Sequence, residues 1–143
     1  MSFLNAFNIS GSALTAQRMR MDVISQNLAN AQTTRTSDGG PYRRQVSVIT
    51  EQKPSFSSYL NSAMNPIGRG AVVSKIVEDP SDFKLEYDPD NPDADVDGYV
   101  RYPNVNETTE LIDMMAATRA YEANVTALNG MKSMMLKALE IGK

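Results

Sequence analysis

The chain has 143 residues, a formal net charge of −3, and no cysteine, histidine or tryptophan. That length is one domain's worth of sequence, and the missing side chains exclude disulfides, thiolate or imidazole zinc sites, and any Cys or His nucleophile with its base. Charge is segregated: residues 1 to 75 carry eight basic and three acidic side chains, 76 to 97 one basic and nine acidic, and 98 to 143 five of each, with the basic residues too scattered to form a nucleic-acid patch.

The opening MSFLNAFNISGSALTAQ has no basic leading region, and Asn5, Asn8, Ser10 and Gly11 interrupt its apolar residues, so it does not read as a cleaved secretory signal. No apolar run approaches membrane-spanning length. From about Ser12 to Asn30, Leu14, Met21, Ile24 and Leu28 recur with helical spacing that Phe7 extends back by one heptad, which predicts an amphipathic helix. It should end near Asn30 to Gln32, because Thr33, Thr34 and Thr36 are weak helix formers and Asp38-Gly39-Gly40-Pro41 is a strong turn signal.

Between Tyr42 and Tyr102 the period changes. Gln45 to Thr50, Ala71 to Glu78, Phe83 to Tyr87 and Tyr99 to Tyr102 are short, rich in β-branched and aromatic residues, and separated by Pro, Gly, Asp and Asn. They predict a small antiparallel sheet. Lys53 to Gly70, rich in Ser, Asn, Gly and Pro, reads as a long loop insert between its first two strands.

The stretch Asp93 to Val105, DADVDGYVRYPNV, opens like a calcium-binding loop of the EF-hand type. Such a loop closes its cage with a bidentate carboxylate at position twelve. Here that position is Asn104, position nine is the cation Arg101, and a Pro-rich segment stands where the first flanking helix is needed. Asp97-Gly98 reads instead as a turn before a strand, with the aspartates solvated. No metal or other cofactor is expected. The acidic residues of this loop lack the apolar surroundings that raise a pKa, so acid–base catalysis is not expected either.

Pro103-Asn104-Val105-Asn106 sets up a helix N-cap, with Glu107 and Glu110 in the first turn and Gly142 as a C-terminal stop. A helix from Glu107 to Ile141 would be about 50 Å long. Of the thirty-one residues from Leu111 to Ile141, nineteen are apolar or aromatic, whereas a helix resting one face on a core needs only about three in seven. The seam Leu111, Met114, Thr118, Tyr121, Val125 and Leu128 can take the first helix as partner. Ile112, Met115, Met131, Met134, Met135, Leu136, Leu139 and Ile141 then need cover from elsewhere. The methionines are core packing on base rates, and their unbranched thioethers also suit contact with non-identical neighbours.

Two blocks carry a resemblance. LTAQRMRMDVISQNLANAQTTRTSDGGPYRRQ (Leu14 to Gln45) contains the NLAN motif of Asn27, Leu28, Ala29 and Asn30, followed by Gly39, Gly40, Pro41 and Tyr42. The second is DPDNPDADVDGYVRYPNV (Asp88 to Val105), continued by TRAYEANVTALNGMKSMMLKALEIGK (Thr118 to Lys143). Together they resemble the flagellar basal-body rod family, in its proximal-rod form. Departures lie in Gln52 to Arg69 and at Glu107-Thr108-Thr109.

The resemblance implies a non-enzymatic subunit, mainly α with a small β region. Its N- and C-terminal helices (1–36 and 106–143) would pair as an antiparallel coiled coil lining a channel, with a β-rich domain (37–105) outside. Within the subunit, Leu14, Met21, Ile24 and Leu28 would meet Leu111, Met114, Tyr121, Val125 and Leu128, while Met131, Met134, Met135 and Leu139 would face neighbours. Asn27 and Asn30 would end the first helix and set its bend, Asn being tolerant of left-handed geometry and able to cap a terminus with its side chain. Expected partners are other rod subunits, further copies, the adaptor joining membrane ring to rod, and the flagellar type III export apparatus, with no nucleic acid or small-molecule substrate. Its place would be the periplasmic rod, reached without a cleaved signal and with the helices ordering on assembly. The competing readings are a soluble coiled-coil adaptor of small fixed stoichiometry and a calcium sensor.

Overall fold

A computed structural model describes residues 3–37, 39–52 and 70–141. Among the described residues, two long helices, α1 (Phe3–Ala29) and α2 (Glu107–Ile141), flank in sequence four strands: β1 (Gln45–Glu51), β2 (Ala71–Glu78), β3 (Lys84–Tyr87) and β4 (Tyr99–Tyr102). The insert expected at 53–70, apart from Gly70, and the stop expected at Gly142 lie outside the described residues.

Helix α1 starts at Phe3, nine residues before the expected Ser12. Asn5, Asn8, Ser10 and Gly11 are weak helix formers, but tertiary packing overrides propensity. Phe7 and Ile9 are half-buried, and Ser12 Oγ donates to the Ile9 carbonyl (2.7 Å) while accepting from the Ala71 amide of β2 (3.1 Å). The helix ends as the Asn30 amide and side-chain Nδ2 both donate to the Gln26 carbonyl, at 3.1 and 2.9 Å.

The strands form two separate antiparallel pairs, β1 with β2 and β3 with β4, where a single sheet was expected. The first pair runs Gln45 opposite Glu78 to Glu51 opposite Ala71, with a bulge. Val48 pairs with Lys75 and Ile49 with Val73, so Ser74 is the extra residue. Its hydroxyl donates to the Val48 carbonyl (3.1 Å), a side-chain bond across the bulge. Phe83, expected in β3, lies before it and carries the Arg43 guanidinium 4.4 Å above its ring.

Gly70 sits so close to α1 that a β-carbon there would lie 2.2 Å from Ser12 Oγ and 2.9 Å from Ser12 Cβ. A hydroxyl can rotate away, but a Cβ moves only with its helix. Gly70→Ala should therefore lower stability by about 1–3 kcal/mol. An unchanged melting temperature would show that the hairpin does not rest on α1 in this way.

The aspartate-rich stretch 88–98 is the closed loop of the β3–β4 hairpin. Its backbone is tied by Asp88 N to Gly98 O (3.0 Å), Gly98 N to Asp95 O (2.8 Å) and Asp95 N to Tyr99 O (2.8 Å). Gly98 has φ +79°, and a β-carbon on it would meet the Tyr87 ring at 3.0 Å, which leaves glycine as the fitting residue. Two of its aspartates, Asp88 and Asp93, are half-buried rather than solvated as expected. Asp93 accepts from Arg35 (2.7 Å) and from the Thr34 hydroxyl (2.8 Å), tying the loop to the segment after α1.

Asn106 caps α2, its Oδ1 accepting from the Thr109 amide (3.3 Å). The two helices run antiparallel: Asn27 near the end of α1 bonds Glu110 in the first turn of α2, and Met21 lies against Thr118 farther along. The buried apolar side chains are Ala16, Val23 and Ile24 on α1, Ala117 on α2, and Val100 and Val105 where β4 leads into α2. That core is small for the chain.

Candidate functional site

Two features stand out: a buried polar hub, and the exposed apolar residues of α2. The hub begins with the turn after α1. Gly39 and Gly40 take φ values of +83° and +92°, a left-handed conformation open to glycine at little cost. The Gly39 amide donates to the Thr36 carbonyl (3.1 Å), the Thr36 amide to the Gly40 carbonyl (2.9 Å), and the Tyr42 amide to the Thr33 carbonyl (3.0 Å). This reversal brings Tyr42 and Arg44 back to the end of α1.

There Asn27, 1% exposed, has both donors and both acceptor positions filled. Its Nδ2 donates to the Gln45 carbonyl (2.8 Å) and to Glu110 Oε2 (3.0 Å). Its Oδ1 accepts from the Gln45 amide (2.9 Å) and the Tyr42 hydroxyl (3.0 Å). Glu110, also 1% exposed, accepts on Oε1 from Arg44 Nε (2.7 Å). Arg44 extends to Asp79 at 3.2 Å and Asp113 at 3.9 Å, and Asp113 takes Arg20 of α1 at 3.0 Å. Asn104, which failed as a calcium ligand, accepts from the Arg44 amide (2.8 Å) and donates to the Asp79 carbonyl (3.1 Å) and the Ser81 hydroxyl (2.8 Å).

The electrostatics agree with this geometry. Burial opposes the Arg44 charge, but Glu110 and Asp79 outweigh it and raise the pKa of the guanidinium. Burial, and then the charges of Glu110 and Glu78, push the Tyr42 phenol up, so it remains a protonated donor toward Asn27. The Ser81 amide and hydroxyl, followed by Arg44, hold the Asp79 carboxyl below the usual carboxylate range. The hub thus ties the end of α1, the start of β1, the end of β2 and the start of α2 into one satisfied network. That is a structural node.

Sequence reasoning missed Glu110, Arg44, Ala16, Val23 and Ala117 in these roles. Glu110 does continue the 4,3 spacing of Met114, Ala117, Tyr121, Asn124, Leu128 and Met131, all buried or half-buried, but a template that accepts only apolar residues skips it. Leu111, expected in the seam, is 53% exposed because Glu110 takes the inward position. Ile24 is buried; Leu14, Met21, Leu28, Met114, Tyr121, Val125 and Leu128 are half-buried. Asn27 does not act through left-handed geometry: it is still helical, and among the described residues only glycines have positive φ. Asn30 ends the helix through its hydrogen bonds.

Comparison with known proteins places both ends of the chain. A family model described as "Flagella basal body rod protein" matches residues 7–35, and one described as "Flagellar basal body rod FlgEFG protein C-terminal" matches 96–141. Over its whole length the chain is 53% identical to the flagellar basal-body rod protein FlgC of Bacillus subtilis, with that protein also fully covered. It is 46% identical to FlgC of Borreliella burgdorferi, covering 99% of this chain and 98% of that one, and 43% identical to FlgC of Escherichia coli over the full length of both. The chain belongs to the FlgC family of flagellar basal-body rod proteins. It is accordingly a structural rod component of the flagellar basal body, and FlgC proteins are not enzymes.

Within a FlgC chain the hub spans both matched ends. Asn27 comes from the first, Asn104 and Glu110 from the second, and Tyr42, Arg44 and Asp79 from the segment between. The other feature lies on α2. Ile112, Met115, Met134, Met135, Leu136, Leu139 and Ile141 are all exposed, Leu139 at 66% and Ile141 at 86%. Met131 is half-buried. The exposed ones cluster at the start of α2 and all round its last two turns, more exposed large apolar side chains than a monomer ordinarily leaves together.

Proposed function

We propose that this FlgC chain polymerises with further copies of itself and with other rod subunits into the proximal segment of the hollow periplasmic shaft, which transmits torque and conducts exported subunits. The observation that carries this reading is the set of exposed apolar side chains on α2, Ile112 and Met115 near its start and Met134 to Ile141 around its last turns, which neighbouring subunits would cover. The antiparallel α1 and α2 act as a coiled coil facing the channel, the hairpins form the outer β-rich domain (37–105), and Met131, Met134, Met135 and Leu139 meet neighbours. The chain reaches the periplasm through the flagellar type III export apparatus without a cleaved signal, and its inner end joins the adaptor between membrane ring and rod. Torque passes without slippage because many modest helix contacts add to a large interface.

Electron cryotomography of a strain lacking the gene tests this. Membrane rings without a periplasmic shaft, restored by a plasmid copy, are expected. Complete flagella in the deletion strain would overturn it. The alternative, a soluble adaptor of small fixed stoichiometry, is disfavoured by full-length membership in a rod family.

A further inference from the structure

The buried hub is polar where a helix pair could be apolar. Replacing a buried ion pair by hydrophobic residues is often neutral or stabilising, whereas a single buried polar group is known to fix register in paired helices. Register needs fixing here. Residues 30–106 separate the two helices in the chain, so no short loop sets their stagger. Their fully buried apolar contacts are Ala16, Val23, Ile24 and Ala117, small or β-branched side chains that tolerate a shift of one heptad.

We infer that the Asn27, Arg44 and Glu110 network is a register lock for the α1/α2 pair, selecting one stagger over its heptad-shifted neighbours. A shift in one direction puts Asn27 beside Ala117, seven residues past Glu110, and leaves one buried donor of its amide without the Glu110 acceptor. A shift in the other carries Asn27 past the start of α2. Either one breaks the 3.0 Å bond to Glu110, and because Gln45 is held by Asn27 of α1 while the neighbouring Arg44 is held by Asn104 just before α2, it also breaks one of those two sets of bonds. Buried donors left unpaired make each shifted state unfavourable. The inference rests on the geometry of the single chain.

The chain has no native cysteine, so engineered pairs report register cleanly. Thr118 Oγ1 lies 3.6 Å from Met21 Sδ, making Met21→Cys with Thr118→Cys the native-register pair. Met21→Cys with Leu111→Cys or with Val125→Cys reports a one-heptad shift either way. Each pair is treated with dibromobimane in the purified full chain, with the hub intact and in the background Asn27→Leu, Arg44→Met, Glu110→Leu. With the hub intact, only the 21/118 pair should bridge. In the triple background the 21/111 or 21/125 yield should rise about tenfold, while helical circular dichroism is retained. Val23→Ala, which weakens the apolar seam alone, should lower the melting temperature without bridging the shifted pairs. The inference is overturned if the triple background bridges only 21/118, if it loses its helical signal, if Val23→Ala slips as far, or if 21/118 fails to bridge with the hub intact.

Discussion

Glu110→Ala is expected to lower the stability of the folded chain by about 3–5 kcal/mol. The substitution leaves Arg44 Nε and one donor of Asn27 without acceptors at a site where Glu110 is 1% exposed. A domain of this size holds about 5–15 kcal/mol in total, so a motile strain carrying the change should become non-motile through loss of folded protein. Glu110→Gln keeps an acceptor oxygen but loses the charge and turns a donor toward Arg44 or Asn27, for a smaller loss of about 1–3 kcal/mol. Urea unfolding separates the two: the midpoint should fall in the order wild type, Gln, Ala, at constant slope. A Glu110→Ala midpoint equal to wild type would mean that the hub does not hold the chain together. The register experiment differs because all three partners are exchanged together, leaving no fully buried charge unpaired; Asp79, which loses Arg44, is partly exposed and keeps the Ser81 amide.

Much of the fold was legible because it follows from local chemistry. Strands Ala71–Glu78 and Tyr99–Tyr102 announce themselves by β-branched and aromatic residues between turn formers, and the start of α2 by the Asn106 cap. What stayed hidden depends on distant partners. Asn5 to Gly11 is a poor helix in isolation and is helical here against packed neighbours. The strands make two hairpins because pairing is decided by where the chain returns, and the link between them runs through the side chains of Arg44 and Asn104 reaching Asp79 and Ser81. The aspartate-rich loop looked solvated because nothing local indicates that Arg35, 58 positions before Asp93, will close on it. Glu110 was hidden by its own chemistry: a carboxylate scores as surface until a guanidinium and an amide are placed around it.

Leu139→Asp makes the opposite prediction: an unchanged chain that cannot assemble. Leu139 is 66% exposed on the last turns of α2, so the free protein should melt within about 0.5 kcal/mol of wild type. In the rod proposed above, the same side chain would be buried against a neighbour, an environment worth about 1.5–3 kcal/mol for a leucine, and the aspartate would bring a carboxylate into that contact without a partner. Each 1.4 kcal/mol is a factor of about ten in affinity, so the combined effect weakens every addition step by roughly a hundredfold or more. Because every copy carries the defect, no subunit in the growing shaft escapes it. The strain should be non-motile in soft agar, with normal levels of the protein and, by tomography, rings without a continuous shaft. Leu128→Asp tells the seam from the outer side: Leu128 is half-buried, so that substitution should lower both stability and motility. If the Leu139→Asp strain swims normally, the C-terminal turns of α2 are not an assembly surface, and the contacts between copies must be sought on the exposed strands, where Leu85 and Tyr87 are 65% and 64% exposed.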